Sequence, residues 1–248
     1  MRPQGVCAVR GLVRLSGVGL ALVFLMCLTW TAAVADDAVP RTTIVVFGDS
    51  QAQGLAGGLS RVLLEESRFR IVNRSHPGAA LVHSESEWLA PVERFVRNEK
   101  ADVAVVMFGA NDRLDLRDER AGYLRFRTEP WRAAYAARID KIFDALSAAG
   151  LKVIWCGNPI ARSPTYSADM GYINTIYEEE SRRFGAQFVS LWSAVADDGG
   201  HYAAYGKDRD GVTQRLRADD GIHFTAAGYE LIAEKIVGLL STSAQNLR

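Results

Sequence analysis

Short apolar runs rich in β-branched residues alternate with longer amphipathic runs from residue 42 to residue 240, and this alternation restricts the possible folds more than any other feature. Thr42–Phe47 (TTIVVF) reads as a buried strand that stops at Gly48. Arg70–Asn73, Asp102–Phe108, Leu151–Cys156 and Gln187–Leu191 repeat the pattern, which makes five expected strands. Between and after them, Ala52–Ser67, Glu87–Glu99, Trp131–Ala149, Tyr172–Phe184 and Ala226–Leu240 carry apolar residues at helical spacing, for example Leu55, Leu59, Val62 and Leu63. Gly150 stands where a helix stop belongs, and Thr225 where an N-cap belongs. Strands that alternate with helices need crossover connections, so the expected fold is α/β: a parallel sheet with helices on both faces. Arg113–Pro130 and Ser193–Gly221 lack firm periodicity, and loops of that length in a compact domain are usually functional.

The first 35 residues read differently. Arg2, Arg10 and Arg14 precede an apolar run from Leu15 to Val34, and Ala33-Val34-Ala35 offers a small-x-small cleavage site. This is the pattern of a secretory signal peptide over residues 1–35, with an uncleaved membrane anchor as the alternative. A single domain is expected over residues 36–248, located in the periplasm or secreted, and meeting a membrane only if the leader stays attached. That domain holds 26 basic and 29 acidic residues, a formal charge of −3, which gives no reason to expect nucleic acid as a partner. Cys156 is its one cysteine, so no internal disulfide is expected and the core must hold the fold.

In parallel α/β sheets, ligands bind beyond the carboxyl ends of the strands, so the residues that follow each strand matter most. Gly48-Asp49-Ser50 follows the first strand and places Ser50 at a helix N-terminus, where backbone N–H groups favour an oxyanion. Asn73-Arg-Ser-His-Pro-Gly78 follows the second strand and Gly109-Ala110-Asn111-Asp112 the third. Gly78 can present an unobstructed backbone N–H, and Asn111 a side-chain amide. Asp219-Asp220-Gly221-Ile222-His223 precedes the last helix, and an Asp three residues before a His can orient the imidazole that takes a serine proton.

Four blocks in this order, GDSQAQGL, NRSHPG, GAND and DGIHFTAAGY, resemble those of the SGNH or GDSL hydrolases. The finer layout, including Trp155-Cys-Gly-Asn-Pro159, Tyr202 and Gly211-x-x-x-Arg-Leu-Arg217, is similar to a branch of periplasmic bacterial members without a settled substrate. The resemblance implies a three-layer α/β/α sandwich with a flavodoxin-like five-stranded parallel sheet. It also implies ester hydrolysis through an acyl-enzyme, with no metal or organic cofactor. Ser50 would be the nucleophile, His223 the general base and then acid, and Asp220 its orienter. The Ser50 and Gly78 N–H groups and Asn111 would form the oxyanion hole. Asp-x-x-His spacing selects Asp220 over Asp219. Gln51 stands where the family has Leu, a departure expected to leave the chemistry untouched.

The expected activity is removal of short acyl groups from a small-molecule or glycan ester, such as O-acetyl on a cell-envelope glycan. The alternatives are an O-acyltransferase that passes the acyl group to a sugar, and a non-catalytic envelope binding or scaffold protein. Other residues carry plainer readings. Asp112 is expected to fix the Asn111 loop, His83 and His201 to be structural or solvated, and His76 to be an exposed loop residue or a substrate contact. Cys156 reads as core, and Gly54, Gly57 and Gly58 as close helix packing rather than a phosphate loop. Trp131, Tyr135 and Trp155 read as core, with a sugar-stacking surface as the rival. The arginines at 113, 117, 120, 125 and 127 read as a solvated lid, with an anion pocket as the rival.

Overall fold

β1 (Thr42–Gly48) buries its last five residues in a row, as a strand covered on both faces must. A computed structural model of the chain describes residues 41–118 and 121–245, with side chains to residue 240. These residues lie within one compact unit, Ala38–Arg248. The leader expected over residues 1–35 lies outside the described residues. After β1 come α1 (Ser50–Val62), β2 (Phe69–Asn73), α2 (Glu85–Asn98), β3 (Val103–Met107), β4 (Leu116–Asp118), β5 (Gly122–Leu124) and α3 (Glu129–Ala148). Then follow β6 (Lys152–Cys156), α4 (Pro164–Arg183), β7 (Gln187–Val189), β8 (Tyr205–Lys207), β9 (Thr213–Arg215) and α5 (Ala226–Gln245).

The main sheet has the order β2-β1-β3-β6-β7, with every neighbouring pair parallel. Successive side chains on a strand point to opposite faces, and this period of two divides the core. Ile44 and Val46 of β1, Val103, Val105 and Met107 of β3, and Ile154 and Cys156 of β6 face the layer of α1 and α5. Val45, Phe47, Ala104, Val106, Val153 and Trp155 face α2, α3 and α4. The three-layer α/β/α sandwich with a five-stranded flavodoxin-like sheet is therefore as the sequence predicts. Trp131, Tyr135 and Trp155 are fully buried in the second of these cores, which rules out a sugar-stacking surface.

α1 and α5 approach closely because glycines remove the obstacle. A Cβ at Gly54 would lie 1.9 Å from the Tyr229 ring, and one at Gly58 would lie 2.4 Å from the Tyr229 carbonyl oxygen. Gly48 is needed for two reasons: its φ is +142°, and a Cβ there would sit 1.8 Å from the Met107 oxygen of the next strand.

Three expectations need correction. α4 begins at Pro164, eight residues before the predicted Tyr172; Ser163 caps it by accepting a hydrogen bond from the Tyr166 N–H at 3.2 Å. Proline at the first helical position marks a helix start, and Gly171 interrupts the apolar pattern beyond it. α1 ends at Val62 rather than Ser67, in a turn closed by the Glu66 N–H on the Leu63 carbonyl. The two segments without periodicity are not bare loops, because each carries a small antiparallel hairpin, β4–β5 and β8–β9.

Candidate active site

The sheet order changes direction at β1: the chain goes out to β2 and returns across to β3, leaving a crevice beyond the ends of β1 and β3. Ser50, the first residue of α1, sits at the end of β1. Its Oγ lies 2.7 Å from His223 Nε2, and His223 Nδ1 lies 2.6 Å from Asp220 Oδ2. An ionised carboxylate only accepts hydrogen bonds, so this contact places the imidazole proton on Nδ1 and leaves Nε2 to accept from the serine hydroxyl.

Burial opposes ionisation of Asp220. The hydrogen bonds from the His223 ring and from the Ile222 and His223 N–H groups outweigh it and hold the carboxyl at about 2. Asp219 is turned elsewhere, with its carboxylate on the Arg215 guanidinium and its carbonyl on Arg162.

Gly78 and Asn111, which follow β2 and β3, border an open cavity of about 360 Å³. The rest of its lining is His83, Ala110, Arg113, Leu114 and Tyr166. Gly78 has a φ of +84°, and nothing lies within 4 Å of where its Cβ would be. Asn111 donates one amide hydrogen to the Ala79 carbonyl at 3.1 Å, and its amide group carries a second. His76 is an exposed loop residue whose backbone N–H bonds the Gly48 carbonyl. His83 pairs with Glu87 at 2.8 Å, and His201 is largely exposed.

Two buried carboxylates brace this end of the sheet. Asp49 caps α1 through the Gln51 N–H at 2.8 Å, and its other oxygen accepts from the Ala110 N–H at 3.1 Å, tying the serine turn to the asparagine loop. Burial pushes its pKa up to about 7 against the pull of those bonds, and the nearby Asp112 adds to the rise. Asp112 accepts from the Val82 N–H and the Tyr135 hydroxyl, so it fixes the loop as expected; burial raises it to about 6. Cys156 is core, its thiol pushed up to about 12 by burial.

Two supports of the histidine loop escape sequence reading. Gln51 is buried, donates to the Ile222 carbonyl at 2.8 Å, and accepts from the Tyr229 hydroxyl at 3.1 Å. Gln51, which stands where the family has Leu, therefore touches the histidine turn through the residue before His223. Arg217 is fully buried, and its guanidinium donates to the carbonyls of Ile160, Gly221 and Ile222. It lies 4.0 Å from the Phe224 ring centroid and 4.9 Å from that of Tyr202. Its place in Arg215-Leu216-Arg217 ahead of Asp220 is the one sequence signal it has. Among the described residues, no group of three His, Cys, Asp or Glu could hold a metal ion.

Solved structures share this architecture. A GDSL-like lipase from Bacteroides thetaiotaomicron superposes with a TM-score of 0.58 at 15% identity, covering 82% of this chain and 89% of its own. A member of the lipolytic G-D-S-L family from Veillonella parvula gives 0.59 at 15% identity, covering 81% and 99%. A catalytic mutant of an acetylxylan esterase from Geobacillus stearothermophilus gives 0.53 at 15% identity, covering 81% and 94%. No curated protein matches the chain. A family model described as "Protein of unknown function (DUF459)" matches residues 43–238. On that span the chain belongs to the DUF459 family, and its fold is that of the SGNH hydrolases.

Proposed function

We propose that this protein is an extracytoplasmic serine esterase that removes short acyl groups through an acyl-enzyme on Ser50. The observation that carries the reading is the unbroken chain from Ser50 Oγ through both His223 ring nitrogens to the Asp220 carboxylate. His223 Nε2 takes the serine proton as Oγ attacks the ester carbonyl. The negative charge on the carbonyl oxygen is met by the Ser50 and Gly78 N–H groups and the Asn111 amide; one donor of this kind is worth about 3 kcal/mol of barrier. The imidazolium, paired with ionised Asp220, returns its proton to the departing alcohol. Water then attacks the acyl-serine with His223 again as base, releasing the carboxylic acid and restoring Ser50. Every proton moves through the protein's own groups, so the cycle needs no cofactor.

Hydrolysis is favoured over transfer to a sugar because the His223 and Asp220 side chains are 35% and 46% exposed, which leaves water free access to the base. A purely binding role would not account for the aligned Ser50, His223 and Asp220. The substrate we favour is an O-acetyl group on a cell-envelope glycan. The leader expected over residues 1–35 supports the location, and the acetylxylan esterase among the structural neighbours supports the ester class.

The test is p-nitrophenyl acetate turnover by residues 36–248, beside Ser50→Ala. We expect turnover that falls by a factor on the order of 10⁴ or more in the variant, with an unchanged melting temperature. Equal background rates in both proteins, together with no fluorophosphonate label on Ser50, would sink the esterase reading.

A further inference from the structure

The segment between β3 and α3 is pinned to α4 through one carboxylate. Arg113 Nε donates to Asp169 Oδ2 at 2.7 Å, and Arg127 to Asp169 Oδ1 at 3.0 Å. Asp169 sits in the first turns of α4, with its side chain only 10% exposed, so the pair is a built feature and not a passing surface contact. Arg127 has a φ of +65°, unusual for a residue other than glycine. The Arg113 guanidinium also lies 4.9 Å from the Tyr166 ring centroid, while the Tyr166 hydroxyl donates to the Ala110 carbonyl at 2.8 Å.

Arg113 is thereby held in one orientation at the wall of the cavity that Gly78 and Asn111 also border. Only its Nε is engaged; among the described residues, neither terminal nitrogen has a hydrogen-bonded acceptor. Among the described residues no carboxylate lines this cavity, and His83 is the one other lining group of basic character. The two guanidinium groups share the single Asp169 carboxylate. A planar fork with free donors matches an oxyacid group in two-point contact.

We propose that Arg113 is a substrate-recognition residue that selects esters bearing a carboxylate near the acyl group, such as an O-acyl acidic sugar. This deepens the esterase reading and rests on it. Of the two arginines that share Asp169, Arg113 lines the cavity and Arg127 is not among its lining residues, so the solvated-lid interpretation of the arginine cluster fails for Arg113.

The experiment compares 4-acetoxybenzoate with its neutral methyl ester as substrates, and 4-hydroxybenzoate with its methyl ester as ligands by calorimetry. Wild type, Arg113→Gln and Arg113→Lys are tested at low and high salt. Each protein is scored by its own anionic-to-neutral ratio. We expect wild type to favour the anion about five- to tenfold, Arg113→Gln to lose the preference, and Arg113→Lys to keep part of it. The wild-type preference should also shrink as salt rises. Equal ratios in wild type and Arg113→Gln would overturn the proposal. If no ester is hydrolysed, the esterase reading fails, while the binding ratio still decides whether Arg113 selects a carboxylate.

Discussion

The two halves of the site are built by different means. Ser50, Gly78 and Asn111 follow strands of the central sheet, and buried backbone-to-carboxylate bonds from Asp49 and Asp112 lock their loops together. Asp220 and His223 sit on a turn before α5, outside the main sheet, and side chains hold that turn: Gln51 and Arg217 on the Ile222 carbonyl, Arg217 on Gly221. The first half inherits its geometry from the sheet. The second depends on a buried cation whose bonds to the turn are all to neutral carbonyls, a costlier arrangement that burial resists, lowering the Arg217 pKa to about 10. On the serine side, carboxylates hold the loops by accepting from backbone N–H groups; on the histidine side, Gln51 and Arg217 hold the turn by donating to its carbonyls.

The largest break in this comparison is Asp220→Asn. An amide cannot orient the same imidazole tautomer, so kcat should fall by about 10⁴ while the fold survives. Asp219→Asn should change kcat little, because its carboxylate serves Arg215. Comparable losses in p-nitrophenyl acetate turnover for both variants would mean that the triad acid is misassigned.

Arg217→Met comes next. It takes the Arg217 donor from the Ile160 carbonyl and one of two donors from each of the Gly221 and Ile222 carbonyls, so we expect a loss of about 2 kcal/mol in urea unfolding and a ten- to hundredfold fall in kcat/KM. A full loss of stability with unaltered kcat/KM would show that Arg217 supports the fold without positioning His223.

Asp49→Asn probes the serine side and should have the smallest effect. An unfolded Asp releases its proton near 3.8, whereas folded Asp49 holds its proton up to about 7. Between those values the folded state binds more protons, so wild-type stability falls as pH rises. Asp112, at about 6, contributes to the lower part of that fall. In Asp49→Asn the decline between pH 6 and 7 should disappear, at a general cost of about 1 kcal/mol for one lost hydrogen bond. Urea unfolding at pH 4, 5, 6 and 7 reads this directly, and an unchanged slope would remove Asp49 from the account.

The sequence by itself determined the sheet, because five apolar runs separated by amphipathic ones can bury both faces in few other ways. It also marked Ser50, Gly78, Asn111, Asp220 and His223, since each stands at a strand end or just before a helix, where local order in the chain predicts position. The first turns of α4 were obscured because Pro164 and Gly171 interrupt the periodicity that marks a helix. Only the tertiary structure decided that Gln51 and Arg217 carry the histidine turn, that Asp49 joins two loops, and that Asp169 holds Arg113 against the cavity. Arg217 and Ile222 are five positions apart, but the other contacts join residues from 56 to 171 positions apart, and no local pattern encodes a meeting across that distance. Burial, which gives Asp49 and Arg217 their unusual energetics, is likewise a property of the packed layers and not of either residue's neighbours in the chain.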